Sequence, residues 1–232
     1  MFNPIKYENL YSADHGWLKA RHHFSFGDYY DPARMSFGKI RVINDDLIGP
    51  QKGFPLHPHK EMEIITFVRR GAITHSDDQG NKGRTAAGDI QVMSAGTGIR
   101  HSEYNLENEE TNIYQIWIEP RVTGITPRWE TKSLPDVPVS GEAHLLVSGY
   151  ETDAAPLTIN ADARIFGGKI TAGNSVNLKP GKAGYLLVSA GKVNAGGHDL
   201  EKGDAAEIVD EPSLSVTATE AAEILFIELM AH

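Results

Sequence analysis

Two pairs of closely spaced residues are the clearest sign of chemistry in this chain. His57 and His59 are separated by one residue, and so are His101 and Glu103. Side chains on a β-strand alternate between its two faces, so each pair is predicted to share one face of a strand. If the two strands face each other across a barrel, three imidazoles and one carboxylate converge and could chelate one metal ion.

This set of donors suits divalent transition metals, because iron, nickel, manganese, copper and zinc all accept imidazole and carboxylate ligands. The donors alone leave Fe(II), Ni, Mn, Cu and Zn open; we predict one such ion, with Fe(II) as the first choice. Four protein ligands on an octahedral ion leave positions open for a substrate or for dioxygen. Spacing alone does not decide the carboxylate, because Glu63 has the same strand parity as His59. Glu61 shares that parity, but a solvated or outer position is expected for it.

Other residues with chemical potential have simpler interpretations. Ser102 lies between His101 and Glu103 but faces the opposite side of the strand, so a hydrolase triad is rejected. Phe54 is a candidate for the mouth of a pocket. Packing or other structural roles are expected for Trp17, Trp117, Trp129, His22 and His23. The chain has no cysteine, which excludes disulfides, thiolate metal sites and cysteine nucleophiles.

Composition narrows the class of protein further. The chain has 232 residues, of which 40% are hydrophobic and 23% charged, as in ordinary globular proteins. Its net charge of −9 disfavours direct binding to nucleic acid and to anionic membrane surfaces. No apolar stretch has the length of a membrane span or of a signal peptide. We therefore predict a cytoplasmic protein.

The elements that would position these residues are short strands. Apolar segments rich in Val, Ile, Phe and Tyr are separated by glycine and proline, which indicates an all-β sandwich or barrel. Examples are Ile40–Ile43, Ile64–Val68, Ile113–Ile118, Tyr185–Val188 and Ile224–Ile227. A strand that ends at Gly71 and a turn at Gly88–Asp89 are repeated at Gly191 and Gly203–Asp204. The chain is therefore predicted to contain two barrels of similar plan.

The repeat also predicts which barrel binds metal. Offsets from Gly71 and Gly191 give the second-half counterparts of His57 and His59 as Asn177 and Lys179. The offset from Asp89 and Asp204 gives the counterpart of His101 as Val216. These residues do not form a second set of histidines. The second barrel is therefore predicted to have no metal site.

The residues around both pairs resemble the two motifs of the cupin superfamily, and the fuller pattern is similar to the pirin family. The segments that carry the resemblance are His23–Pro32, Phe54–His59 and Gly88–Glu103. The resemblance implies a bicupin, in which two jelly-roll-like cupin β-barrels pack together. Residues 1–130 would form the metal-binding barrel, and residues 131–232 a barrel without metal.

In pirin-like proteins the metal ligands occupy the positions of His57, His59, His101 and Glu103. On these family grounds Glu103 is the predicted ligand, and Glu63 becomes a candidate for orienting a ligand histidine. A monomer is the state that the resemblance implies.

Many pirin-like proteins act as quercetin 2,3-dioxygenases, oxidoreductases that open the heterocyclic ring of a flavonol with O2 and release carbon monoxide. The resemblance thus implies a small planar phenolic substrate, with Glu103 as the general base that takes the proton of the 3-hydroxyl. The family also implies an alternative, a metal-dependent, redox-sensitive regulatory protein that acts through protein partners. A small-molecule isomerase is a third, lower-ranked hypothesis.

Overall fold

The computed structural model describes residues 1–230 and confirms the all-β prediction. Strands and turns make up nearly all of these residues, together with two short 3-10 helices at Tyr7–Asn9 and Glu151–Asp153. None of the helices in this part of the chain is long and apolar enough to cross a membrane.

The first half of the chain contributes twelve strands. They are β1 (Phe2–Ile5), β2 (Tyr11–Asp14), β3 (Leu18–His22), β4 (Ile40–Ile48), β5 (Lys52–His59), β6 (Glu63–Arg70), β7 (Ala72–Asp77), β8 (Lys82–Ala86), β9 (Asp89–Ser94), β10 (Ile99–Asn105), β11 (Thr111–Ile118) and β12 (Arg128–Ser133). A seven-stranded sheet in the order β12-β9-β6-β11-β4-β3-β2 and a four-stranded sheet in the order β5-β10-β7-β8 form the first barrel.

The second half repeats this plan. Its strands are β13 (His144–Ser148), β14 (Leu157–Thr158), β15 (Ala163–Ile170), β16 (Ser175–Leu178), β17 (Gly181–Ala190), β18 (Lys192–Ala195), β19 (His198–Glu201), β20 (Ala205–Glu211), β21 (Leu214–Ala218) and β22 (Ala222–Leu229). The sheets have the orders β1-β20-β17-β22-β15-β13-β14 and β16-β21-β18-β19. Both predicted barrels are therefore present, with matching strand orders.

Two strands complete the sheets at equivalent edges. β12 pairs with β9 in the first barrel, whereas β1 leaves its own half and pairs with β20 in the second. The predicted division between residues 130 and 131 stays a prediction. The pairing of β12 places Arg128–Ser133 in the sheet of the first barrel.

The two seven-stranded sheets pack against each other across a shared apolar core. Tyr114 of the first barrel and Tyr185 of the second are fully buried in this core. Polar contacts cross it as well: His23 Nδ1 lies 2.9 Å from the Tyr185 hydroxyl, and Arg69 Nη2 donates to the Ser189 carbonyl at 2.6 Å. These contacts hold the two barrels together as one packed unit.

The strand register identifies the counterparts of the predicted metal ligands in the second barrel. His101 lies opposite His57 in the first barrel, and Val216 lies opposite Val176 in the second. The prediction of Val216 as the counterpart of His101 therefore agrees with the register.

The predicted counterparts of His57 and His59 are wrong by one residue, because Val176 and Leu178 face the interior in place of Asn177 and Lys179. A bulge between Gly181 and Ala183 explains the shift, since it inserts one residue between Leu178 and the turn at Gly191.

Candidate metal centre

Three of the predicted ligands meet inside the first barrel. His57 and His101 are directly opposed on β5 and β10, with ring centroids 4.5 Å apart. The ring of His59 lies 4.8 Å from that of His57 and 4.9 Å from that of His101. One nitrogen from each ring lies within 4.8 Å of the other two. The alternation of side chains along the strands produces this cluster.

The free lone pairs of these rings point to a cation. His57 Nδ1 lies 2.7 Å from the carbonyl oxygen of Pro55, which can only accept, so Nδ1 is the donor and Nε2 carries the lone pair. Burial, and then the neighbouring imidazoles, lower the pKa of His101 to about 3 and that of His59 to about 4. A histidine must be neutral to bind a metal ion through a ring nitrogen, and these pKa values make both rings neutral at pH 7.

His101 is oriented by two residues that sequence reasoning missed. His75 Nε2 lies 2.8 Å from Asp77 Oδ2, and His75 Nδ1 lies 3.3 Å from His101 Nδ1. The carboxylate accepts from His75 Nε2, which leaves His75 Nδ1 to accept from His101 Nδ1. His101 Nε2 then carries a lone pair, and this atom is buried without a hydrogen-bond partner among residues 1–230. The hydrogen bonds that run from Asp77 through His75 to His101 thus leave Nε2 available to a metal ion.

Glu103 lies on the other side of His101. One of its carboxylate oxygens forms a group with a nitrogen of His75 and a nitrogen of His101, in which all three atoms lie within 4.8 Å of one another. His57 and His59 do not belong to this group. Gln91 Nε2 donates to Glu103 Oε1 at 2.6 Å, and Gln115 Nε2 donates to Oε2 at 3.0 Å. Two amides therefore fix the buried carboxylate next to the histidine cluster.

Glu63 has a different role from those considered for it. Ser94 Oγ donates to Glu63 Oε2 at 2.7 Å, and the backbone nitrogen of Asn160 donates to the same oxygen at 3.0 Å. Glu63 is buried on β6, in the sheet that packs against the second barrel. Its partners make it a contact between the barrels. Ser102 is less buried than its neighbours His101 and Glu103, which agrees with its predicted outward direction, and its Oγ donates to the Ser76 carbonyl at 3.4 Å.

An apolar cavity of about 610 Å³ opens onto the cluster. Pockets of about 300–1,000 Å³ accommodate small organic ligands. Phe54 lines the cavity, and so does Trp117, whose ring meets that of His59 edge-on at 4.9 Å. The prediction that Trp117 serves only packing is therefore too narrow. The ring of Trp129 stacks on that of His75, with centroids 4.8 Å apart, and so packs against the partner of His101.

The donors in this cluster fit a transition metal. Metal–nitrogen bonds of roughly 2.1 Å place ligand nitrogens about 3–4 Å apart, which the three imidazoles can reach with small shifts of their rings. The unpartnered, buried Nε2 of His101 is the atom that such an ion would satisfy. The two groups of potential ligands found among residues 1–230 share His101, and both lie in the first barrel.

Comparisons with known proteins find matches to both halves of the chain. The family model "Pirin" matches residues 5–118, and the model "Quercetinase C-terminal cupin domain" matches residues 145–229. A pirin-like protein from Caulobacter vibrioides is 53% identical over 98% of this chain and 99% of its own length. The chain belongs to the pirin family. As a pirin it has the predicted fold of two packed cupin barrels.

Further relatives and solved structures add detail to the family assignment. A protein from Escherichia coli K12 named quercetin 2,3-dioxygenase is 40% identical to this pirin over 94% of each chain. The crystal structure of YhhW from Escherichia coli superposes with a TM-score of 0.92 at 38% identity, covering 99% of this chain and 97% of that one. A second YhhW structure, described as a bacterial pirin in complex with nickel(II), has a TM-score of 0.91 at 38% identity and covers 99% of each chain.

Proposed function

We propose that this protein is a metal-dependent dioxygenase that opens the heterocyclic ring of a flavonol such as quercetin. The observation that carries the proposal is the cluster of three imidazoles next to a buried carboxylate, in the lining of a cavity that also has aromatic walls. The names of its relatives support the same reaction, since the Escherichia coli protein at 40% identity is named quercetin 2,3-dioxygenase.

His57, His59 and His101 would hold the metal, and Glu103 would be a fourth ligand or lie close to it. A bound divalent metal acts as a Lewis acid, which lowers the pKa of a hydroxyl that coordinates it. Fe(II) remains the prediction from the sequence, and the nickel in the related YhhW structure makes Ni(II) the first alternative to test.

Glu103 is the proposed general base. Its carboxylate accepts hydrogen bonds from Gln91 and Gln115, and a carboxylate has further lone pairs with which to take a proton. The two amides keep its oxygens in place next to His101, so the base is positioned before the substrate arrives. Removal of the proton from the 3-hydroxyl makes the flavonol electron-rich enough to react with O2. Both oxygen atoms enter the ring-opened product and one ring carbon leaves as carbon monoxide, so no external reductant is required.

The cavity would bind the planar rings of the substrate. Phe54 and Trp117 offer aromatic surfaces next to His57 and His59, with Phe54 6.4 Å from the ring of His57. Flat aromatic ligands pack well against such surfaces and displace water from them. The apolar lining would also keep bulk water away from the reacting oxygen atoms.

The test is oxygen consumption together with loss of quercetin absorbance. Metal-free protein would be reloaded with Fe(II), Ni(II), Mn(II) or Zn(II), and compared with His101→Ala and Glu103→Gln. We expect stoichiometric oxygen uptake with at least one metal, none with His101→Ala, and a loss of about 100-fold or more with Glu103→Gln, which keeps its shape but not its basicity.

His198→Ala is the matched control, because His198 is an exposed histidine of the second barrel. This variant should consume oxygen at the rate of the unmodified protein. Metal that binds without any oxygen uptake would contradict the dioxygenase proposal. Full turnover by Glu103→Gln would contradict only the assignment of the base. The cytoplasmic location, the monomeric state and the regulatory alternative stay predictions from the sequence.

A further inference from the structure

Two neighbouring aspartates on β4 have opposite surroundings. Asp45 faces the second barrel, where it accepts hydrogen bonds from Arg69 Nη1 at 2.5 Å and from Asn112 Nδ2 at 2.7 Å. Asp46 faces the interior of the first barrel and lines the cavity, with 3% of its surface exposed. Its buried Oδ1 has no hydrogen-bond partner in the part of the chain that the structure describes.

An unpartnered carboxyl in an apolar cavity destabilises the folded protein without a ligand. Burial, and then the negative charges of Asp45 and Glu103, raise the pKa of Asp46 to about 8. The fold itself does not require a carboxyl at this position, because the register of β15 and β22 places Gly168 at the counterpart position in the second barrel. The features of Asp46 are those of a group kept for a ligand.

We propose that Asp46 binds a hydroxyl group of a polyphenolic substrate and so selects hydroxylated ligands from other planar aromatic ones. This inference rests on the proposed function of the cavity. A phenolic hydroxyl both donates and accepts, so it can pair with a carboxyl in either protonation state. The aromatic walls recognise a flat ring but cannot recognise its hydroxyls.

Asp46 belongs to neither group of potential metal ligands, so it offers a second point of attachment. A planar ligand that is held at the metal by one oxygen could still rotate within an apolar cavity. A hydrogen bond to Asp46 would remove that freedom and fix the face of the ring that meets O2. Asp46 is therefore a substrate-binding residue in this scheme, separate from the base Glu103.

Two flavonols separate the contribution of Asp46 from that of the metal. Quercetin and 3-hydroxyflavone share the 3-hydroxyl and the neighbouring carbonyl, but 3-hydroxyflavone has no other hydroxyl. Binding of each to Ni(II)-loaded protein without oxygen would be measured by quenching of tryptophan fluorescence, for the unmodified protein, Asp46→Leu and Asp46→Asn. Glu142→Gln, a change at an exposed site of the second half, is the control.

We expect Asp46→Leu to weaken quercetin binding by about 10- to 100-fold, the effect of one hydrogen bond to a charged or buried group, and to leave 3-hydroxyflavone binding nearly unchanged. Asp46→Asn, which keeps a polar head group, should retain part of the preference. The melting temperature of each metal-free variant shows that it is folded, and Asp46→Asn supplies the answer if Asp46→Leu does not fold.

An unchanged ratio of the two affinities in Asp46→Leu would overturn the role of Asp46. If only Asp46→Asn folds, an unchanged ratio in that variant together with normal quercetin binding would overturn it. Failure of the unmodified protein to bind either flavonol would instead overturn the proposed function, and the inference with it. The two failures are therefore distinguishable.

Discussion

The two barrels share a strand order but have opposite interiors. In the first barrel, strands β5, β10 and β7 direct imidazoles and carboxylates inward, whereas the matching strands of the second barrel direct aliphatic side chains inward. The pairs of counterparts are His57 and Val176, His59 and Leu178, His101 and Val216, Glu103 and Ala218, His75 and Val193, and Asp77 and Ala195.

The difference extends to the larger sheets. Thr66, Gln91 and Gln115, which surround Glu103, correspond to Leu186, Ala206 and Phe226 of the second barrel. The second barrel shows that this architecture is stable with an apolar centre, since burying each large apolar side chain contributes about 1.5–3 kcal/mol. The polar interior of the first barrel is therefore not needed for folding. The proposed binding of a metal and a substrate would explain why it is present.

The largest effect is expected on metal affinity, when a ligand of the first barrel is replaced by its counterpart in the second. His101→Val removes the ligand that both groups of potential metal-binding residues share. Loss of an outer partner of a metal ligand typically costs about 10–100-fold in affinity, so loss of this central ligand should cost at least about 1,000-fold. Competition with a chromophoric chelator measures the affinity. His198→Val is the control, and unchanged metal affinity in His101→Val would show that the metal binds elsewhere.

The reverse exchange tests whether one histidine can create a site. Val216→His places an imidazole among Val176, Val193 and Ala195, none of which can bind a metal or accept a hydrogen bond through its side chain. Overpacking and an unpaired polar group should together reduce the free energy of unfolding by about 3 kcal/mol, without adding a metal site. Urea unfolding and metal content provide the two measurements. A variant that binds a second metal ion would show that the contrast between the interiors is less strict than we infer.

The outer partners of the metal site should have a smaller effect. His75→Val copies the second barrel, and Asp77→Ala removes the carboxylate that fixes the tautomer of His75. Because His101 would then lose its orientation but not its lone pair, metal affinity should fall by about 10–100-fold in each variant. The EPR spectrum of Cu(II)-loaded protein should change too, since the direction of one nitrogen ligand changes. A normal spectrum with only reduced stability would indicate a purely structural role for His75.

Sequence reasoning located the cluster of His57, His59 and His101, because strand parity alone decides which side chains share a face. It missed His75, whose spacing to Asp77 repeats that of the ligand pairs and was the available signal. Gln91 and Gln115 had a signal as well, each being a polar residue inside an apolar strand.

Asp46 could not have been found in this way. Two adjacent aspartates resemble a solvated turn, and only the strand pairing shows that one of them is buried. The bulge at Gly181–Ala183 likewise shifted the predicted counterparts, because an inserted residue reverses strand parity without a clear mark in the sequence.

The smallest effect is expected at the boundary between the barrels, on the free energy of unfolding. The buried histidine there, His23, packs between the barrels and is not one of the proposed metal ligands. Burial, and then the charge of Arg34, lower the pKa of His23 to about 3. Below its unfolded pKa of about 6.5, the unfolded chain binds a proton that folded His23 does not, so stability falls as pH decreases towards 3.

Between pH 7 and pH 5.5 this loss amounts to about 1 kcal/mol from His23 alone. His23→Asn keeps a polar group opposite the Tyr185 hydroxyl but has no group that titrates in this range. Its free energy of unfolding should therefore fall by about 1 kcal/mol less than that of the unmodified protein over the same interval, as measured by urea unfolding of metal-free samples. Equal losses in both proteins would mean that His23 is accessible to protons in the folded state and that the boundary between the barrels opens locally.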